Sequence, residues 1–263
     1  MLIPRILFAP HLPTLLVDQH RGHLTPMIEA LAAAGERLRA DEPEAIVIVS
    51  GRRMARGPFV VDAGRRHRTI TEYRGLGVEL RYDCDGLPAL ARALVAQGEK
   101  HDIPVAAGTR GVDSGVTVPL HFLMPRTHVP VVPLSVALQP RAKCRAWGKV
   151  IAQVLVKRPE RIAFLVGGAL SSDEHAWNLQ RQVPEAAAYD ERALECLERG
   201  AWESLWTASA GMAKRAQPQA GLRHLAILRG VLGADLPGQV LCHEPGPGMG
   251  AALVEFERSV EES

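Results

Sequence analysis

Histidine and arginine side chains stand directly after two apolar runs of the chain, where binding and catalytic residues are often found. His11 follows the run Ile3–Ala9, and Arg52 and Arg53 follow the run Glu44–Ser50. A neutral imidazole is a common metal ligand, whereas a guanidinium is always charged and pairs with carboxylate or phosphate. His11 is therefore a candidate for metal binding, for contact with a small molecule or for a buried structural role. The two arginines indicate anion binding.

A third group of polar side chains follows the apolar run Ile162–Val166. Ser172 and His175 lie shortly after this run, an arrangement that invites a comparison with hydrolases. A catalytic serine needs its base within hydrogen-bonding distance, and residues so close along the chain rarely adopt that geometry. There is also no G-x-S-x-G pattern, so the hydrolase interpretation is not favoured. His175, His243 and Glu244 remain candidate metal ligands close to predicted strand ends.

Arginine is concentrated in one segment of the chain. The segment carries a single acid, Asp62, and its six arginines are Arg52, Arg53, Arg56, Arg65, Arg66 and Arg68. One interpretation is a solvated surface loop. The other is an anion site, because guanidinium groups bind carboxylate and phosphate through two parallel hydrogen bonds. A nucleic-acid site usually adds stacking aromatic rings, and this segment has few nearby, so nucleic acid is not favoured.

The elements that must position these residues alternate between strands and helices. This alternation predicts an α/β fold, a single domain over residues 1–263 with a central, mostly parallel sheet flanked by helices. In such sheets ligands bind beyond the carboxyl ends of the strands, which here means the segments Pro10–Pro13, Ser50–Arg53, Asp113–Gly115 and Gly167–His175. The predicted strands are Ile3–Ala9, Glu44–Ser50, Phe59–Ala63, Val78–Tyr82, Ile103–Ala107, Val129–Ala137 and Ile162–Val166, with a closing hairpin of Gln239–Cys242 and Ala251–Phe256. The predicted helices include Pro88–His101, Pro119–Met124, Arg141–Val156, Asp190–Arg199 and Leu222–Leu232.

Composition excludes several classes of protein. The chain has 263 residues, 47% of them hydrophobic, and its 31 basic residues nearly balance its 29 acidic ones. This balance gives no general case for nucleic-acid binding. The four cysteines are scattered, and no apolar stretch approaches the roughly 20 residues of a membrane span. We expect a cytoplasmic protein that does not bind a membrane and whose cysteines are reduced.

Four local motifs, in order, resemble the class III extradiol ring-cleavage dioxygenase superfamily, which includes LigB-like and MEMO-like proteins. They are APHLP (Ala9–Pro13), IVIVSGRR (Ile46–Arg53), VDSGVTVPLHFL (Val112–Leu123) and FLVGGALSSDEH (Phe164–His175). The segments AGLRHLAILRGVLG (Ala220–Gly233) and HEPGPGMGAALVEF extend the resemblance to nearly the whole chain. The resemblance implies the family's α/β fold. It also implies a ferrous iron held by two histidines and a carboxylate, which is replaced by cysteine in some members.

The chain departs from the superfamily at the residues that carry its chemistry. His11 stands at the first iron-ligand position, and Gly51–Arg53 replaces the second ligand, a histidine. The third ligand is expected just before Gly221, where this chain has Gln219 and Ala220. The acid/base histidine of the superfamily is matched by Ser172, and the histidine of its D-H-G motif by Ser114, next to Asp113. A single histidine ligand next to a positively charged guanidinium does not favour the binding of a ferrous ion.

We therefore expect a relative of the dioxygenases that has lost the iron site and needs no cofactor. It would act as a noncatalytic subunit beside a catalytic partner subunit or in a homo-oligomer, or as a binder of a small aromatic or carboxylate ligand. The candidate ligand-binding residues are His11, Arg52, Arg53, Asp113 and Ser172, and the candidate catalytic positions in the pocket are Ser114, Ser172 and His175. One alternative is an active dioxygenase whose ferrous iron is held by a rearranged ligand set. Another is an anion or phosphate module built on the Arg52–Arg68 segment.

Overall fold

An eight-stranded sheet forms the centre of the molecule, with strand order β6-β3-β7-β2-β8-β1-β10-β9. The computed structural model describes residues 1–70, 73, 76–125, 128–207 and 210–258. The strands of the sheet are β1 (Leu2–Pro10), β2 (Ala45–Ala55), β3 (Phe59–Asp62), β6 (Val105–Gly108), β7 (Val131–Ala137), β8 (Ile162–Gly168), β9 (Gln239–Glu244) and β10 (Ala251–Glu257). A separate small ribbon joins β4 (Arg66–His67) to β5 (Cys84–Asp85).

The parallel part of the sheet lies at its centre, because its strands are apolar on both faces. β7, β2, β8 and β1 are neighbours and run parallel, and every residue of β7 and β8 is buried. Continuous apolar strands of this kind occur where helices cover both faces of a sheet. β3 pairs parallel with β6 and antiparallel with β7, and β10 is antiparallel to both of its neighbours. The predicted α/β fold with a mostly parallel sheet is thus confirmed.

Helices cover the sheet on both sides and divide the core into two clusters. The helices are α1 (Thr14–His20), α2 (Pro26–Ala40), α3 (Pro88–Lys100), α4 (Ser114–Leu123), α5 (Arg141–Val156), α6 (Glu174–Asn178), α7 (Pro184–Glu198), α8 (Trp202–Leu205), α9 (Ala210–Ala216) and α10 (Arg223–Leu232). α2 and α4 enclose one cluster, and α5, α7 and α10 enclose the other. None of the helices in the described part of the chain is long and apolar enough to cross a membrane.

Sequence and structure disagree most clearly around Val78–Tyr82, which forms no strand. Side chains take the place of strand partners there, since Thr69 Oγ1 accepts from the backbone N–H of Tyr82 and Asp83 Oδ1 accepts from that of Thr69. Only the two residues that follow, Cys84–Asp85, pair in a ribbon. The predicted closing hairpin, by contrast, is present as the antiparallel pair β9 and β10.

Candidate functional site

The carboxyl ends of β1, β2 and β8 meet at one edge of the sheet, because the three strands are parallel neighbours. The register pairs Pro10 with Gly168 and Ser50 with Gly167, so the segments that follow these strands lie side by side. A cavity of about 380 Å³ opens above them. Its lining residues are His11, Leu12, Pro13, Thr14, Arg52, Tyr73, Leu76, Ser114, Glu174, Trp177, Asn178, Gln180 and Met249. The volume is in the range of small-molecule sites.

His11 is buried at the base of this cavity and is bound by a glutamine. The Nε2 atoms of Gln219 and His11 are 2.6 Å apart, and Gln219 Oε1 accepts from the backbone N–H of Ala169 at 2.8 Å. The second bond decides the orientation of the amide, because only its oxygen can accept that N–H. Gln219 Nε2 therefore donates to His11, and the lone pair on His11 Nε2 is occupied.

The environment keeps His11 neutral. Burial, followed by the positive charge of Arg52, lowers the pKa of this imidazole from 6.5 to about 4. The proton then lies on Nδ1, which has no hydrogen-bond partner among the described residues. His11 is thus an uncharged group at neutral pH whose outer nitrogen already accepts a hydrogen bond.

A second buried histidine, His224, lies beside this pair and was missed by the sequence interpretation. It belongs to α10, is 0% exposed, and packs its ring 5.7 Å from that of Phe8. Neither of its ring nitrogens forms a hydrogen bond of good geometry with a described residue, although the main chain of Ala169 lies close enough to oppose the fall of its pKa. Burial and the neighbouring His11 lower its pKa to about 3. The segment around His224 reads as an ordinary apolar helix, and no spacing in the sequence connects it to His11.

Close contacts between main-chain segments occur where the strands end, next to the cavity-lining residues Arg52 and Ser114. A Cβ at Gly51 would come 2.8 Å from Gln219 Oε1, and a Cβ at Gly167 would overlap the carbonyl oxygen of Gly115. The N-terminus of α4 is therefore pressed against the end of β8. Glycine is needed at these positions because no side chain fits between the two backbones.

Arg52 lies at the mouth of the cavity and is paired with an acid. Its Nη1 is 2.7 Å from Glu174 Oε1, and both side chains are partly exposed. One polar group of the wall, the Tyr73 hydroxyl, lies 3.0 Å from Thr117 Oγ1. The mouth thus offers a guanidinium above walls that combine polar side chains with the apolar Leu12, Trp177 and Met249.

Arg53 and Asp113, both predicted to bind ligand, have structural positions instead. Arg53 points away from the cavity toward Asp62, with its Nη1 4.0 Å from Asp62 Oδ2, and burial lowers its pKa. Asp113 caps α4 by accepting from Gly115 N, and it also accepts from the Ser50 hydroxyl at 2.7 Å. Of the two arginines predicted to face the pocket, Arg52 is among the residues that line the cavity and Arg53 is not, and the ligand-binding role of both stays a prediction.

Asp62, toward which Arg53 points, accepts hydrogen bonds from the backbone of the neighbouring loops. Burial alone would raise its pKa, but hydrogen bonds from His67 and from the backbone N–H groups of Arg110 and Gly64 outweigh burial and lower its pKa to about 2. The remaining arginines of the sequence cluster, Arg56, Arg65, Arg66 and Arg68, are exposed.

Ser114 lines the cavity, whereas the remaining predicted site residues do not. Ser172 is half-buried and donates its backbone N–H to Ala216, and His175 is exposed on α6. Glu244 accepts from Met27 N at the start of α2, so it caps that helix. His243 is half-buried, and its Nε2 lies against Gly250. Across the described ranges, no three histidines, cysteines or acids are grouped so that they could hold a metal ion.

A buried acid lies next to the segment that was compared with a hydrolase. Asp190 accepts from both the backbone N–H and the hydroxyl of Ser171, each at 2.8 Å. Burial raises the pKa of Asp190 to about 6, although these hydrogen bonds oppose the shift. The Ser171 hydroxyl points to a carboxylate and has no histidine partner, so this pair is structural.

The chain is similar to one family of known proteins and to a solved structure. The sequence profile of a family described as the catalytic LigB subunit of aromatic ring-opening dioxygenase matches residues 5–254. Among solved structures, the chain is similar to the uncharacterized protein JW3007 from Escherichia coli K12, with 20% sequence identity and a TM-score of 0.70. That similarity covers 97% of this chain and 100% of the other, and at this identity it bears on the fold alone.

Proposed function

Because the chain belongs to the family of catalytic LigB subunits of aromatic ring-opening dioxygenases, we propose that it retains the family's cavity but binds a small carboxylate-bearing molecule there without iron. Such a chain would act alone or beside a catalytic partner subunit. Family membership by itself establishes the scaffold and not the chemistry. The proposal therefore depends on the side chains that line this particular cavity.

The observation that carries the proposal is the hydrogen bond between Gln219 and His11. A histidine ligates a metal through an unprotonated ring nitrogen, and His11 Nε2 has its lone pair engaged by the Gln219 amide. The amide cannot turn its oxygen toward a metal without abandoning the N–H of Ala169. His11 Nε2 and the Gln219 amide are therefore engaged with each other and with the backbone.

The remaining donors do not fit ferrous iron. A site of the two-histidine, one-carboxylate kind needs a negative ligand and two imidazoles. His224 supplies a second buried imidazole beside His11, but no third histidine, cysteine or acid among the described residues joins them, and Glu174, the acid in the cavity lining, is paired with Arg52 at the mouth. The guanidinium adds a positive charge where a cation would have to enter, and its charge already lowers the pKa of His11. We therefore assign no step of a reaction to iron in this chain.

The same side chains suit an anionic organic ligand. Arg52 presents charged N–H donors at the mouth, and Leu12, Tyr73 and Trp177 supply apolar wall beneath it. A guanidinium binds a carboxylate in its own plane, so an aromatic carboxylate would place its ring between the walls and its charge at Arg52. Glu174 competes for the same guanidinium and tunes the affinity.

Iron content tests the first half of the proposal. Protein purified without a polyhistidine tag would be loaded anaerobically with ferrous iron, desalted and analysed by elemental analysis. We expect far less than one iron per chain. One tightly bound iron per chain, together with oxygen uptake on catechols, would overturn the proposal in favour of an active enzyme with a rearranged ligand set.

Calorimetry with benzoate tests the second half. We expect Arg52→Ala to weaken binding by about tenfold or more, because a hydrogen bond to a charged group contributes about 1.5–3 kcal/mol. Arg65→Ala is the matched control, since Arg65 is exposed and lies outside the cavity lining. Equal loss of affinity in both variants, or none in Arg52→Ala, would contradict the proposed site.

A further inference from the structure

A long crevice runs between α5 and α10 on the face of the sheet that these helices cover. The two helices touch through their backbones, because a Cβ at Gly148 would overlap the carbonyl oxygen of Ile227 and a Cβ at Gly230 would overlap that of Arg145. Two cavities lie along this contact, of about 460 and 340 Å³, and Lys149 lines both. Because the two cavities share Lys149, they are neighbours along the helix pair, and together they are called the α5–α10 crevice.

The floor of the crevice is small and apolar, whereas its rim is positively charged. Ala142, Ala146 and Ala226 line the larger cavity between the stems of longer side chains. The cationic residues that line the two cavities are Arg141, Arg145, Lys149, Arg229, Lys157 and Arg258. The first three recur at intervals of four residues along α5, so they share one face over about 12 Å of helix.

The acids of this region do not neutralise the rim. Glu203 lines the larger cavity, and both Glu203 and Asp235 are bound by Arg229, at 2.7 and 2.6 Å. Arg141, Arg145 and Lys149 form no ion pair with any residue in the described ranges. The Nε of Arg145 is in addition buried without a hydrogen-bond partner. Three cations of one helix face therefore remain without counter-charge.

We propose that the α5–α10 crevice binds a small molecule that carries two or more phosphate groups. A phosphate group carries about −1.5 to −2 charges at neutral pH, so two of them match three neighbouring cations. Arginine forks bind phosphate oxygens in pairs, and lysine binds them as a point charge. A cavity of about 460 Å³ has the size of a small-molecule site.

The aromatic side chain at the end of the crevice favours a small ligand over a nucleic acid. Single-stranded nucleic acid binds by stacking its bases on exposed aromatic rings. Here one face of the Trp206 ring is occupied by the Arg141 guanidinium, 5.4 Å from its centroid, and is not available for stacking. Trp206 instead orients Arg141 toward the cavity that both residues line.

This site is independent of the cavity at His11, since no residue lines both. Titration calorimetry with inorganic pyrophosphate at low ionic strength tests it directly. We expect binding at one site that Arg145→Ala weakens at least tenfold and Lys149→Ala weakens severalfold. Arg145→Lys, which keeps the charge but loses the planar fork, should fall between wild type and Arg145→Ala.

Matched controls separate this site from general electrostatic attraction. Arg65→Ala removes an equal charge from an exposed arginine elsewhere, and it should change pyrophosphate affinity less than twofold. Lys149 is exposed, so Lys149→Ala tests the site even if Arg145→Ala fails to fold. Unchanged affinity in Lys149→Ala, or equal weakening in Arg65→Ala, would overturn the proposal. If citrate binds as tightly as pyrophosphate, the assignment to phosphate is wrong. If a single-stranded oligonucleotide displaces pyrophosphate and binds more tightly, the assignment to a small ligand is wrong.

Discussion

Replacing His224 by leucine should stabilise the folded chain at neutral pH, although it removes a fully buried residue next to the candidate site. Each buried ring nitrogen without a partner costs about 1–3 kcal/mol, and His224 has two such nitrogens. Leucine fills a similar volume, favours the helix and packs against Phe8, but it loses the ring contact at 5.7 Å. Allowing for imperfect repacking, we expect a net gain of about 1–2 kcal/mol in the free energy of unfolding.

The substitution should also flatten the dependence of stability on pH. Burial lowers the pKa of His224 from 6.5 to about 3, so between these values the unfolded chain binds a proton that the folded chain does not. The stability contribution is therefore complete above pH 6.5 and is lost as the pH falls. At pH 5 the loss is about 2 kcal/mol for one such histidine. His11, with its pKa lowered to about 4, adds a similar loss in both proteins.

Urea unfolding followed by circular dichroism at pH 7.5 and pH 5 measures both effects. Wild type should lose about 4 kcal/mol between these conditions from the two buried histidines, and His224→Leu should lose about 2 kcal/mol. His175→Leu is the control, because its ring is exposed in the folded chain. If His224→Leu destabilises the chain at pH 7.5, or if its pH dependence equals that of wild type, the nitrogens of His224 have partners and the reasoning is refuted.

Three other variants follow from the site and its surroundings. Glu174→Gln should tighten benzoate binding about two- to fivefold, since an exposed ion pair contributes up to about 1 kcal/mol; weaker binding by calorimetry would contradict the placement of Arg52. Combining Arg52→His with Gln219→Glu should raise the ferrous iron retained after desalting, because it supplies an imidazole and a negative ligand; unchanged content by elemental analysis would mean that these are not the altered ligand positions. Asp62→Asn should lower the free energy of unfolding by about 2–3 kcal/mol, since charge-assisted bonds to buried donors are lost; a loss below about 1 kcal/mol in urea unfolding would show that the hydrogen bonds to Asp62 matter little.

Much of the fold could be predicted because hydrophobic periodicity reports burial directly. The apolar runs that became β1, β2, β7 and β8 are buried on both faces, and the predicted helix Arg141–Val156 has the bounds of α5. The predicted strand Val78–Tyr82 was wrong because the backbone N–H of Tyr82 donates to the Thr69 hydroxyl and not to a neighbouring strand. Local pattern cannot distinguish these two kinds of partner.

The site was harder to predict because its contacts join residues far apart in sequence. Gln219 was placed at a ligand position by resemblance, and it does lie against His11 across 208 residues. The sequence around His224 gave no sign of the site, since a histidine in an apolar helix has the same local pattern whether or not it lies near a second histidine. Arg53 and Arg52 are adjacent, yet successive residues of a strand point to opposite faces, and only Arg52 lines the cavity.

The contact between Gly115 and Gly167 limits how ligand preference can change in this protein. A side chain at Gly167 would overlap the carbonyl oxygen of Gly115 and separate α4, whose Ser114 lines the cavity, from the sheet. A change in ligand preference must therefore come from the side chains at the rim of the cavity. These are above all Arg52 and, on α6, Glu174 and Trp177. An engineer seeking a new ligand should diversify that short helix and leave the glycines untouched.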